Sequence, residues 1–231
     1  MSIAVLCPSR GNPGALFEAA FSCTSNAMDE ETRFIPVVDE DDPLIERYFA
    51  FNEDTSLPIM VVPRDQVGNM NLAMNYAALK VADDYDIVGF VGDDHRFRTQ
   101  GWDRVIGKVL ADEGGGFAYG DDRAQHEALP TQVFITSPII KALGWMGLPG
   151  ARHLYLDNTW RMLGERADCL LYLPDIVIEH LHPAHNPDIP WDDNHRRVNT
   201  GEMYDHDRRV YEAWLADGAE EDIAKVKAAI G

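Results

Sequence analysis

The sequence predicts an α/β protein built on a mostly parallel central sheet with helices on both faces. Two observations carry that prediction. Short β-branched runs alternate with helical patterns over the first hundred residues, the signature of repeated βαβ units. Polar and acidic clusters also sit directly after those runs, where an open α/β sheet places its ligand at the carboxyl ends of its strands.

The elements follow in order. "IAVLCP" (Ile3–Pro8) reads as a first strand, "SRGNPG" as a turn, and "ALFEAAFSCTSNA" as a helix. "RFIPVV" (Arg33–Val38) is a second strand ending in the acidic loop "DEDDP", and "IMVVP" (Ile59–Pro63) is a third. "NMNLAMNYAALKVA" (Asn69–Ala82) carries apolar positions at helical spacing and leads into a fourth strand, "DIVGFV" (Asp86–Val91). In the second half, "GWDRVIGKVLADEGG" predicts a helix closed by glycines, "FAYGDD" and "TQVFITSP" two strands, and "IIKALGWMG" a short helix. "HLYLDNTWRMLGERAD" predicts another helix, and "CLLYLP" and "IVIEHLHP" two short strands. The polar and aromatic stretch after Pro183 reads as a long loop able to act as a lid, and "VYEAWLADGAEEDIAKVKAAI" returns to helix.

Composition sets outer bounds. The 231 residues, 45% hydrophobic and 26% charged, suffice for one domain with a real core and exclude a disordered chain. No apolar run reaches the roughly 20 residues that span a bilayer, and the start reads as a strand rather than a signal peptide. Cys7, Cys23 and Cys169 are scattered and odd in number, which fits buried core thiols in a reducing cytoplasm. A net charge of −19 opposes broad binding to a phosphate backbone and suits a protein that gathers divalent cations.

The stretch "YDIVGFVGDDHRF" holds the sharpest chemical signal. Asp93 and Asp94 at a strand end serve equally as a turn or helix cap and as ligands for a hard cation, Mg²⁺ or Mn²⁺, with a histidine beside them. Neither a GxGxxG fingerprint nor a Walker A loop is present, so a metal has to neutralise any bound phosphate.

The ordered set of features over roughly the first 185 residues resembles the GT-A-fold, family-2-like glycosyltransferases. The Pro-Ser loop "LCPSRG", the aspartate of "VVDEDDP", the helix "GNMNLAMNYAA", the DxD-type "VGDDH" and the late "YLDNTWRMLGERADCLLYLPDIVIEH" carry it. The resemblance implies a GT-A-like catalytic domain over 1–183, with a nucleotide-binding half (1–100) and an acceptor-binding half (101–183), then a lid loop and helical tail (184–231). It implies a metal-dependent transfer of a sugar from a nucleotide-diphosphate donor, a UDP-sugar foremost, to a hydroxyl of modified DNA, a protein or a glycan.

Residue by residue, the resemblance puts Asp157 forward as general base, in competition with a helix-capping role that would lower its pKa. Direct displacement with this base inverts the anomeric centre. Asp94 and His180 are the implied metal ligands, with Asp93 and His182 as second choices; strand alternation sets both histidines on one face. Pro8, Ser9, Arg10, Asp39, Asn71 and Asp93 are the implied donor contacts, and Trp145 a platform for sugar or acceptor. Trp191 and Tyr204 could close over the donor, while His185 and His195 receive no role. Two departures stand out: the DxD register is open between "GDD" and "DDH", and Leu156 replaces the glutamate of the late acidic pair. A nucleotidyltransferase acting on a sugar phosphate and a non-catalytic nucleotide-binding module are the alternatives. A hydrolase built on "HLHPAH" has no HExxH-type ligand set to support it.

Overall fold

The computed structural model of the chain describes residues 1–55, 57–63, 65, 69–191 and 193–230. At its centre is an eight-stranded sheet: β1 (Ile3–Ser9), β2 (Thr32–Asp39), β3 (Met60–Val62), β4 (Ile87–Phe90), β5 (His95–Phe97), β6 (Phe117–Asp121), β7 (Val133–Thr136) and β8 (Leu170–His180). Their spatial order is β3-β2-β1-β4-β7-β6-β8-β5. The four strands β1 to β4 run parallel, as the alternating runs predict. Beyond them the sheet is mixed: β7 is antiparallel to β4 and β6, β8 is parallel to β6, and β5 closes the edge antiparallel to β8.

Helices α1 (Pro13–Asn26), α2 (Ile45–Thr55), α3 (Met70–Val81), α4 (Trp102–Asp112), α5 (Ser137–Leu143), α6 (Leu156–Arg166), α7 (Asp193–Val198), α8 (Gly201–Asp217) and α9 (Ala219–Ala229) complete the chain. Both sheet faces are covered because β1 alternates between them. Ala4 and Leu6 enter the core with Ala73 and Met74 of α3, Ile140 of α5, Leu163 of α6 and Val226 of α9. Ile3, Val5 and Cys7 enter the opposite core with Leu16 and Cys23 of α1, Ile106 of α4 and Tyr48 of α2. All three cysteines are buried and unbridged, and burial pushes their thiols up, so none is poised as a nucleophile.

Several expectations need correction. The two short strands expected over "CLLYLPDIVIEH" are one strand, β8, which bulges at Pro174–Ile176: Gly120 pairs with Leu173, but the next residue, Asp121, pairs with Val177. The bulge lies so close over β6 that a Cβ on Gly120 would meet the Ile176 carbonyl oxygen at 2.2 Å, which only glycine permits. Helix α2 and strand β5 were not anticipated. The long loop expected after Pro183 is already helical from Asp193 and again from Gly201, where the Thr200 hydroxyl accepts the Met203 N–H and caps α8. Gly68, quoted above with the third helix, lies outside the described residues. Among the described residues no helix is long and apolar enough to cross a membrane.

The C-terminal helices belong to the same packed body, and one buried acid fastens them. Asp207 of α8 is 0% exposed and accepts the N–H groups of Arg152, His153 and Leu154 at 2.7–2.9 Å. One helical turn later, Tyr211 stacks on Tyr155, a non-glycine residue at φ 64°. The loop from β7 and α5 into α6 is thereby held by α8. Burial alone would raise the Asp207 carboxyl, but the Leu154 N–H, the His206 ring and the other two N–H groups hold it below the usual carboxylate range. Asp207→Ala leaves three part-buried N–H donors without their acceptor and should cost about 3 kcal/mol, roughly 6–12 °C in thermal midpoint. A depressed folded pKa means this stability is complete above the ordinary aspartate pKa and is lost as pH falls through the folded value. Below about pH 4, acid should therefore destabilise the wild type more steeply than Asp207→Asn in thermal melts.

Candidate functional site

A cleft of about 760 Å³ opens at the carboxyl ends of β1, β2 and β4. Pro8, Ser9, Arg10, Asp39, Asp93, Asp94, Asp157, His180 and His182 all line it, so most of the residues singled out in the sequence meet in one cleft. Six of the eight histidines of the chain line the same cleft, among them His153, His185 and His195.

The turn after β4 owes its shape to Gly92. A Cβ there would meet Asp94 Oδ1 at 2.6 Å and His95 Nδ1 at 3.2 Å, so both side chains fold back over a residue that has none. The two aspartates part company at this turn. Asp93 accepts a 2.6 Å hydrogen bond from the buried Ser9 hydroxyl at the end of β1. That hydroxyl also lies 3.2 Å from the phenol oxygen of Tyr48, which in turn accepts the Asn12 N–H at 3.0 Å. Burial pushes the Tyr48 phenol up to about 12, so it stays protonated. Asp94 turns the other way, toward histidines: His180 Nε2 stands 3.1 Å and His195 Nε2 3.7 Å from its Oδ2, and His95 Nδ1 3.2 Å from its Oδ1.

Strand pairing delivers His180. In the antiparallel register of β5 with β8, His95 lies opposite His180, and the two rings stack at 4.2 Å and 12°. Burial would raise the Asp94 carboxyl, but the His180 charge and hydrogen bond, with the nearby rings of His195 and His95, hold it well below the usual range. Burial would lower His180, and the Asp94 carboxylate outweighs it, so His180 is raised. His95 is lowered by burial and by His180. Asp94, His95 and His180 present ligand atoms within 4.8 Å of one another, a group able to hold a metal ion.

The lone pairs distinguish these nitrogens. His95 Nδ1 already accepts the Gly92 N–H at 3.0 Å, and His182 Nδ1 accepts the Ala184 N–H at 3.1 Å. A neutral imidazole that accepts at one nitrogen carries its proton on the other. His180 Nε2 has only the Asp94 carboxylate to face, while its buried Nδ1 has no hydrogen-bond partner among the described residues. Two ligands bonded at about 2.1 Å and at right angles on one small divalent cation lie about 3 Å apart, so the 3.1 Å spacing of Asp94 and His180 fits such an ion.

Asp157 lies in the first turn of α6, behind the N-cap Tyr155, and its carboxylate accepts the Asn158 N–H at 2.8 Å. The lowered pKa expected of a capping aspartate does not occur: burial raises the carboxyl, and the local N–H groups and His180 only partly oppose it. Arg10 Nη1 pairs with Asp39 at 2.6 Å and with Asp41 at 2.5 Å, so the loops after β1 and β2 are locked together.

Asn71 and Trp145 are corrections, since neither lines the cleft. Asn71 is fully buried and donates to the Leu148 and Ala151 carbonyls, tying α3 to the loop before α6. Trp145 is 7% exposed, packed in the core edge-on to Trp214 at 6.4 Å. Sequence reasoning missed Tyr48, His195 and Asp207. Tyr48 lies on an unrecognised helix, and the other two sit in a stretch read as loop.

No family model matches the sequence, and a search of curated proteins finds no match. Solved structures do resemble it. S. aureus TarS superposes with a TM-score of 0.62 at 12% identity, over 93% of this chain and 43% of that one. The mannosyltransferase PcManGT from Pyrobaculum calidifontis, solved with GDP-Man and Mn²⁺, gives 0.63 at 13% identity over 98% and 73%. The fold is GT-A. Glucosyl-3-phosphoglycerate synthase from Mycobacterium tuberculosis, solved with Mn²⁺, UDP and phosphoglyceric acid, gives 0.56 at 13% identity over 93% and 78%. The chain thus spans less than half the length of full TarS.

On this GT-A scaffold, Gly92→Ala should leave the fold intact and displace Asp94. Calorimetric titration with Mn²⁺ should show affinity reduced by at least about tenfold, as for other residues that orient a metal ligand.

Proposed function

We propose that the protein is a metal-dependent glycosyltransferase that moves a sugar from a nucleotide-diphosphate donor, a UDP-sugar foremost, to a hydroxyl acceptor. The observation that carries this reading is the sharing of one strand-end cleft by the Asp94–His180 pair and the carboxyl of Asp157. The resemblance to glycosyltransferases solved with UDP, GDP-Man and Mn²⁺ supports it.

Asp94 and His180 would hold Mn²⁺ or Mg²⁺. The bound ion supplies a Lewis acid for the negative charge that grows on the diphosphate as it leaves. Asp157 takes the proton of the acceptor hydroxyl while that oxygen bonds to the anomeric carbon and the bond to the diphosphate breaks. Burial makes it a stronger base than an exposed aspartate, and attack from the face opposite the leaving group inverts the sugar. Pro8 and Ser9 at the end of β1, Arg10 just after it, Asp39 at the end of β2 and Asp93 form the donor wall, with Arg10 suited to phosphate. Trp191 and Tyr204 at the rim exclude water from the donor.

The reading is tested by incubating the protein with UDP- and GDP-sugars and Mn²⁺ and measuring nucleoside diphosphate release. We expect release with one donor class and its loss on chelation. Pyrophosphate release from a nucleoside triphosphate instead would replace this reading with nucleotidyl transfer. Asp157→Asn should lower kcat by roughly 10²–10⁴-fold while donor binding, followed by calorimetry, is retained. Because the base must be ionised, kcat should rise with pH through the elevated pKa of Asp157 and level off above it. That acid limb should lie above the ordinary aspartate range of about 3.9 and vanish in Asp157→Asn.

A further inference from the structure

The loop and short helix that follow β8 place a second imidazole against the same carboxylate that His180 faces. His195 belongs to α7, and its Nε2 stands 3.7 Å from Asp94 Oδ2, beyond hydrogen-bond length but aimed at the same oxygen. The ring is largely enclosed: His182 meets it edge-on at 5.0 Å and Trp191 at 6.2 Å. His95 spends its Nδ1 lone pair on the Gly92 N–H, and His182 spends its own on the Ala184 N–H. Among the described residues, His180 and His195 are the cleft histidines that turn a nitrogen toward Asp94 Oδ2.

We propose that His195 is a third protein ligand of the ion held by Asp94 and His180, so that metal binding clamps α7 down over the cleft. The inference rests on the metal reading of the site given above. Ligands at right angles on a small divalent cation lie about 3 Å apart, so His195 Nε2, now 3.7 Å from Asp94 Oδ2, would close on that oxygen to join the Asp94–His180 pair. The chain link from His195 to the rim is short. Asn199 Nδ2 donates to the His195 carbonyl, Val198 is buried, and Trp191 and Tyr204 stand on either side of α7 in the sequence. Fixing His195 fixes these rim residues, and the ion becomes the latch of the lid as well as the partner of the diphosphate. Imidazole and carboxylate together favour Mn²⁺ over Mg²⁺ at such a site.

The test reads binding and lid order rather than turnover. The full chain, His195→Ala and His195→Phe are titrated calorimetrically with Mn²⁺ alone and with Mn²⁺ plus UDP. Amide hydrogen exchange of residues 193–198 is followed at fixed pH with and without the ion. We expect Mn²⁺ to bind the wild type and slow exchange in α7. Both variants should bind Mn²⁺ at least tenfold more weakly and lose the slowing, with the metal-free melting temperature of His195→Phe, which keeps the ring volume, unchanged. Wild-type affinity in both variants, or bound Mn²⁺ with unaltered exchange in α7, would overturn the clamp and leave Asp94 and His180 as the metal pair. Failure of the wild type to bind Mn²⁺ in either titration would overturn the clamp together with the metal reading itself.

Discussion

The contact between Asp94 and His180 is the constraint on which the site is built. The two residues are 86 positions apart, and a carboxylate so enclosed persists in ionised form only with a positive partner at hand. That partner arrives by backbone geometry: β5 leaves the β4 turn and pairs antiparallel with the end of β8. A slip of one residue in that register would turn His180 to the other face of the strand and take its ring away from Asp94. The bulge in β8 serves the same end, because it lets one strand run parallel to β6 at its start and still reach the cleft with its last residue.

Electrostatics on this molecule are arranged in two layers. The chain carries a net charge of −19, yet the cleft wall gathers Arg10, Arg152, Arg197 and six histidines. Under the proposed function, a diphosphate donor is repelled by the net charge at long range and meets these arginines and histidines within the cleft. At physiological salt the outer field is screened beyond about 8 Å, so the local groups decide binding. The loops after β1 and β2 are meanwhile held together by Arg10 with Asp39 and Asp41, so this side of the cleft keeps its shape by pairing its own charges.

The parallel half of the sheet and the aspartate turn were legible because their signals are local. β-branched runs ending in Pro-Ser-Arg, Asp-Glu-Asp-Asp and Gly-Asp-Asp-His need no knowledge of partners. What escaped depends on tertiary contact. Pro174 reads as the end of a strand, whereas it sits in a bulge that only the neighbouring Gly120 makes possible. Helix α2, "IERYFAFNEDT", sets its aromatics between charged pairs, and its one decisive residue, Tyr48, is recognised by the atoms it touches. Asp207 looks like one more acid in "YDHDRR", and nothing in that string says that three amides converge on it. Asn71 and Trp145 fail as site residues for the converse reason: polar or aromatic side chains near a motif are also what a core uses to tie helices to loops.

The hold of Asp207 on the loop ahead of Asp157 has a consequence for the birth of the molecule. The acid lies 55 residues downstream of the first amide it binds. During synthesis, at roughly 5–20 residues per second, the strands of the sheet, Asp94 and His180 are all made before α8. Until then the segment around the left-handed Tyr155 lacks both its anchor and the ring of Tyr211. Under the assignment proposed for Asp157, a nascent chain is a scaffold without a set base, and catalysis begins only when translation has delivered the helix that locks the loop.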